Sequence, residues 1–238
     1  MRILAGTSGY AFKEWKGPFY PEDLKDAGML QYYASQFPAV EINNSFYQLP
    51  KEKVLRDWAS QVPEDFSFAI KASRRITHFA RLKPECKETL EYLVRTTGAA
   101  LAERVGPVLF QLPPNLKKDV ELLKNFLALL PEGRRYAMEF RHESWFEPAV
   151  LDALREHNIA LVGIEQDDFS APVEPTAKWG YLRLHRFDYD KPRLSDWAEK
   201  IRAQGWTDAY VFFKHDHVPT GGAGPLAVQS FIRTCAPS

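Results

Sequence analysis

The chain has 238 residues, 45% apolar and 26% charged, which allows a sizeable buried core and excludes disorder or a fibrous repeat. Lys plus Arg number 31 and so do Asp plus Glu, so no global field steers the protein toward nucleic acid or anionic membrane, and any electrostatic preference is local. Cys86 and Cys235 are too few for a disulfide framework and have no paired zinc spacing.

The chain opens on Met1-Arg2-Ile3-Leu4-Ala5-Gly6 and reaches Thr7 and Ser8 at once, too soon for the apolar stretch of a signal peptide. No run approaches a membrane span, so the expected address is cytoplasmic, with no membrane partner. A first strand is predicted over 2–7 and a second over 39–43. Val54, Leu55, Trp58 and Val62 then give one helical face, before a third strand at 66–71. Leu90, Leu93, Val94, Leu101 and Val105 form the next face, followed by strand four at 108–111. Val120, Leu123, Leu127 and Leu130 recur at helical spacing, and Pro131 and Gly133 end that element before strand five at 136–140. Strand six is predicted at 160–164. Residues 167–178 carry Pro172 and Pro175 and no apolar stripe, so the sixth crossover is expected to be a loop. Strands seven and eight, at 181–185 and 210–214, are followed by helices marked by Trp197 with Ile201 and by Val228, Phe231 and Ile232. Strand alternating with helix is the pattern of a parallel sheet. The expected architecture is α/β, one (β/α)8 barrel of the TIM type over 1–238, with the helix between strands six and seven missing or degenerate.

Several stretches match a known family in order along the chain. They are Gly6-Thr7-Ser8-Gly9-Tyr10 with Trp15, Gly17, Phe19, Tyr20 and Pro21; Val40-Glu41-Ile42-Asn43 with Ser45, Phe46, Tyr47 and Pro50; and Lys71 with Ile76-Thr77-His78. Further on come Gly106-Pro107-Val108-Leu109-Phe110-Gln111-Leu112-Pro113-Pro114, Glu139-Phe140-Arg141 with Ser144-Trp145, and Tyr181-Leu182-Arg183-Leu184-His185. With these motifs the chain resembles the YecE-like family, the domain of unknown function seventy-two. The resemblance implies a barrel with a polar pocket of unassigned chemistry. The chain departs from the family pattern at Arg186, where the family has Gly, and at Lys214-His215, where it has Asn-Asn.

Strand parity assigns faces independently of any resemblance, because successive side chains point to opposite sides. Glu41 and Asn43 share a face, as do Glu139 and Arg141, and Tyr181, Arg183 and His185, while Lys71 and Gln111 lie on the polar faces of their own strands. Apolar residues fill the alternate faces, which suit outer helices, so the polar groups are expected inside, at the carboxyl ends of the strands where barrel enzymes place their sites. Charges buried together need either mutual pairing or a ligand. Glu41, Lys71, Glu139 and His185 are the candidate catalytic groups. Asn43, Tyr47, His78, Gln111, Arg141, Arg183, Gly221 and Gly222 are the candidate ligand contacts.

The expected ligand is a small anionic, phosphate-bearing molecule. Gly221-Gly222-Ala223-Gly224 precedes the last helix, a place where free backbone amides hold anions, and Gly6-Thr7-Ser8-Gly9 could share that role. Lys71, Arg74, Arg75, Arg141, Arg183, Arg186 and Lys214 would make the rim positive. Glu41 and Glu139 could serve as general acid and base if their surroundings push their pKa values apart. A glycosidase-like dyad is the lesser reading of the same pair. Lys71 could form a Schiff base, though ion pairing with Glu139 is the reading the sequence favours. No cofactor is expected. A divalent metal held by Glu139, Glu165, His185, His215 and Asp216, in a phosphodiesterase-like hydrolase, is one alternative. A nucleic-acid-binding module stacking bases on Tyr10, Trp15, Tyr47 and Trp145 is the other.

Overall fold

The computed structural model describes residues 1–186, 188–214 and 223–236. Eight parallel strands carry the sheet: β1 Arg2–Thr7, β2 Ala39–Ile42, β3 Ser67–Lys71, β4 Val105–Gln111, β5 Tyr136–Glu139, β6 Ala160–Glu165, β8 Gly180–Leu184 and β9 Asp208–Phe213. The short β7, Ser170–Ala171, pairs antiparallel with the end of β6. Strand order is β1-β9-β8-β6-β5-β4-β3-β2, and the two ends of that sheet meet at a parallel bridge between Ser8 and Glu41. The result is a nearly closed barrel of the TIM type.

The seam between β1 and β2 is held by a side chain from the first helix. Tyr33, on α1 (Met29–Gln36), accepts from the Thr7 amide at 2.7 Å and donates to the Ala39 carbonyl at 3.1 Å. Its hydroxyl thus stands in for ladder bonds that the splayed strands do not make, satisfying two buried backbone groups. Gly6 is needed beside it, since a Cβ there would lie 1.9 Å from the Ala39 carbonyl oxygen.

The remaining helices cover the outside: α2 Glu52–Ala59, α3 Lys87–Leu101, α4 Val120–Leu127, α5 Pro148–Glu156, α6 Lys191–Arg202 and α7 Ala223–Cys235. Val105 belongs to β4 and not to the preceding helix, because α3 ends at Leu101 and Ala102 turns the chain with φ of 50°. Inside the barrel, Ala39, Ala69, Ala137 and Ala160 from one side face Tyr181, Tyr210 and Phe212 from the other. Small residues leave room for the three rings, which pack with centroids 5.3 to 6.3 Å apart. This apolar plug fills the barrel's middle and leaves the next inward layer, nearer the carboxyl ends, to the polar side chains.

No helix follows β6. The chain folds back at β7, and Thr176 Oγ1 accepts from the Leu161 amide at 2.7 Å and donates to the Ile159 carbonyl at 2.8 Å. Pro172 and Pro175 suit such a segment, which has no helical ladder to complete. Its first part, Gln166 to Phe169, lies against the barrel mouth. Among the described residues no helix is long and apolar enough to cross a membrane, and Cys86 and Cys235 are free thiols.

Candidate functional site

Arg183 stands at the centre of the polar layer. From β8 its Nη2 donates to Glu41 Oε1 and its Nη1 to Glu139 Oε2, both at 2.8 Å. All three side chains are buried. Glu41 also accepts from Ser8 Oγ at 2.7 Å, Asn43 Nδ2 at 3.0 Å and Tyr181 OH at 2.7 Å. Glu139 further accepts from Gln111 Nε2 at 2.7 Å and from Arg141 Nε. Six residues from five strands or their ends thus serve two carboxylates, which is how buried charge is made tolerable.

Gln111 extends the chain of contacts, because its Oε1 accepts from Lys71 Nζ at 2.8 Å. Lys71 also lies 4.4 Å from the ring centre of Phe46. The expected Lys71–Glu139 ion pair does not form: Glu139 is taken by the two guanidiniums, and the neutral amide of Gln111 sits between lysine and carboxylate. His185 Nε2 is 3.1 Å from Ser8 Oγ. Since the one proton of Ser8 goes to Glu41, the imidazole must donate at Nε2, leaving Nδ1 as its lone pair.

Electrostatics separates these groups by role. For Glu139, burial pushes the carboxyl up, but Arg183 and Arg141 outweigh it and bring it down to about 2. Glu41 is likewise lowered, burial being outweighed by Arg183 and the Ser8 and Tyr181 hydroxyls. The expectation that the surroundings drive these two carboxylates apart is therefore not met: one arginine grips both, and both are anions at neutral pH. Lys71 is pushed down to about 8, by burial first and then by Arg183. His185 falls well below the usual histidine range, by burial and then Arg183, and is neutral at pH 7. The group that titrates closest to neutrality is thus Lys71, not the glutamates.

A cleft of about 400 Å³ opens beside this network, lined by His78, Gln111, Arg141, Gln166, Phe169 and Asp168, among others. Arg141 spans the boundary. Its Nε holds Glu139, its Nη1 donates to Gln166 Oε1 at 2.7 Å, and its guanidinium lies 5.6 Å from the Phe169 ring centre. Among the described residues its Nη2 has no hydrogen-bond partner. His78 comes from a π-helical turn, Arg75–Phe79, and packs edge-on against Phe46 at 4.9 Å. A second cleft of about 300 Å³ lies between the first two loops, lined by Ser8, Tyr10, Phe12, Asn43 and Trp58.

Other expectations change. Tyr47 is 69% exposed on the rim, outside the hydrogen-bond network, with Arg74 5.5 Å from its ring centre. Arg183 is sealed beneath the rim, and Arg186 lies 3.7 Å from Asp167 and 3.8 Å from Asp188. The turn at Gly6 to Gly9 has no amides to spare: those of Thr7, Ser8 and Gly9 go to Tyr33, Phe213 and Glu41. Gly221, Gly222, His215 and Asp216 lie outside the described residues. Glu165 faces the outer helices, accepting from Trp197 Nε1 at 2.8 Å, so strand parity removes it from the proposed metal set. No three metal-ligating side chains gather among the described residues. Trp15 and Trp145 are fully buried and offer no stacking surface. Sequence reasoning missed Gln166 and Phe169 as cleft walls because the first lies just past strand six and the second in the crossover read only as a loop. It also placed Tyr181 on the inward face without expecting its hydroxyl to hold Glu41.

The family model described as "Protein of unknown function DUF72" matches residues 4–237. Among curated proteins, YecE of Escherichia coli O157:H7 is 36% identical over 139 residues, 58% of this chain and 50% of that protein. YunF of Bacillus subtilis is 32% identical over 156 residues, 61% of this chain and 53% of that protein. The chain thus matches about half the length of these curated relatives. Among solved structures, a DUF72 family protein from Thermotoga maritima is 27% identical, covering 98% of each chain with a TM-score of 0.80. One from Enterococcus faecalis has the same TM-score at 19% identity, covering 99% of this chain and 96% of the other, a likeness of fold.

Proposed function

The chain belongs to the DUF72 family, and within that family of unassigned activity we propose that it is an enzyme that binds a small anionic, phosphate-bearing molecule in the cleft at the carboxyl ends of its strands and acts on it by proton transfer. One observation carries the reading. Three cations, Arg141, Arg183 and Lys71, surround two carboxylates, Glu41 and Glu139, leaving one positive charge in excess at a concave site. Asp168 is exposed to water on the outer wall, where its charge is screened. Proton transfer falls to Lys71, with His78 and His185 as neutral neighbours, while the glutamates hold Arg183 and Arg141 in place.

Calorimetric titration with glycerol 3-phosphate, inorganic phosphate and uncharged glycerol tests this. Both phosphates should bind and glycerol should not. Arg141→Ala should weaken phosphate binding about 10- to 100-fold, the loss of a charge-assisted hydrogen bond of roughly 1.5–3 kcal/mol. Equal affinity in the variant, or binding of glycerol as tight as of its phosphate, would remove the anion from the account. A nucleic-acid module is the second reading, favoured by Arg74 lying 5.5 and 5.3 Å from the ring centres of exposed Tyr47 and Phe79. Oligonucleotide binding that falls steeply with salt, with no saturable binding of small phosphates, would select it.

A further inference from the structure

Lys71 is a half-buried amine without a carboxylate. Glu139 is taken by Arg141 and Arg183 and Glu41 by Arg183, so among the described residues Nζ has no ion-pair partner. What it has instead is a neutral acceptor, Gln111 Oε1, at 2.8 Å and the face of Phe46 at 4.4 Å. Gln111 also lines the cleft, and Lys71 is only half-buried, so the amine stands one hydrogen bond behind a side chain of the cleft wall.

Resting on the anion site above, we propose that Lys71 is a nucleophile that forms a Schiff base and that the substrate is a small anionic aldehyde or ketone. An ammonium ion serving only as a countercharge would be placed against a carboxylate, and two carboxylates are nearby; the fold gives both to guanidiniums, which cannot act as nucleophiles at neutral pH. Burial and the Arg183 guanidinium disfavour the ammonium form and bring Lys71 to about 8, so roughly a tenth of it is free amine at pH 7.

The chemistry balances without an oxidant or reductant. The Nζ lone pair attacks the carbonyl carbon, forming the C–N bond, and the carbonyl π pair moves to oxygen, which takes up a proton released from nitrogen. The carbinolamine oxygen takes a second proton, from solvent, and leaves as water as the nitrogen lone pair closes the C=N bond. The iminium N–H can keep the hydrogen bond to Gln111 Oε1 that the lysine makes now. Its positive charge then accepts the electron pair of a breaking C–H or C–C bond next to the imine carbon. His78 is the neutral base at hand, its pKa lowered by burial and by Lys71.

The test is reductive trapping on the full chain with glyoxylate and with glyceraldehyde 3-phosphate as probes, sodium cyanoborohydride as reductant, and peptide mass mapping as readout. One adduct should map to Lys71 and form at least tenfold faster than at exposed lysines such as Lys51 or Lys117. Its rate should rise with pH through about 8. In Lys71→Arg the fast adduct should vanish while the melting temperature stays close to that of the parent. Labelling confined to exposed lysines, or Lys71 labelled no faster than they are, overturns the proposal. If glycerol 3-phosphate still binds in an Arg141-dependent way when Lys71 stays unlabelled, the Schiff base falls and the anion site stands. If the phosphate does not bind either, both fall.

Discussion

Arg183→Met should lower the stability of the protein by about 3–5 kcal/mol, the usual cost of removing one partner from a buried ion pair. For a chain of this size that is a fall in melting temperature of roughly 6–20 °C. The cause is what the substitution leaves behind. Glu41 would keep Ser8, Asn43 and Tyr181 but lose its cation, and Glu139 would keep only Arg141 and Gln111. The pH dependence gives the sign a second check. Both carboxylates are lowered in the folded protein, Glu139 to about 2. Their contribution is therefore present above the unfolded carboxylate range and lost as pH falls through the folded values. In Arg183→Met the folded values rise, so acid unfolding should begin at higher pH. Adding Glu41→Gln to Arg183→Met should recover part of the loss, since the uncompensated anion is removed. Parental stability in Arg183→Met, with an unchanged acid limb, would mean that the three charges are not coupled as the geometry has them.

Gly6→Ala should cost upwards of about 3 kcal/mol and leave little folded protein at elevated temperature, beyond the ordinary range for overpacking because the obstacle is backbone. An added Cβ would meet the Ala39 carbonyl oxygen at 1.9 Å and the Tyr33 hydroxyl at 2.9 Å. No flexible side chain can yield there. Strands β1 and β2 would have to part at the seam where Ser8 approaches Glu41, so the site should loosen with the fold. Gly163→Ala is the control, its added Cβ meeting a Val173 methyl at 3.0 Å. Denaturant titration of both variants measures the difference. A Gly6→Ala protein as stable as Gly163→Ala would show that the seam is not closed as described.

The barrel was legible because each strand carries its own alternation. Parity placed Glu41, Lys71, Gln111, Glu139, Arg141, Arg183 and His185 on inward faces, and a hydrogen-bond network joins all seven. The missing sixth helix was readable from Pro172 and Pro175. Two helices went unread. α1 is only Met29–Gln36, with a weak apolar stripe, and α5 hides its stripe in Val150, Ala153 and Leu154 behind Pro148. The partners within the network were beyond parity altogether. Which cation meets which carboxylate depends on how far the strands are staggered around the barrel. The β3–β4 register shifts between Phe68 and Ile70, a local irregularity that alternation along one strand does not encode.

The most direct measurement of the central claim is a crystal structure of the chain soaked with glycerol 3-phosphate. The account predicts a phosphate group within hydrogen-bonding distance of Arg141 Nη2, in the cleft beside Lys71 and Gln166, with Glu41 and Glu139 still bound to Arg183. A phosphate found only elsewhere on the barrel, or a cleft left empty at saturating ligand, would contradict it.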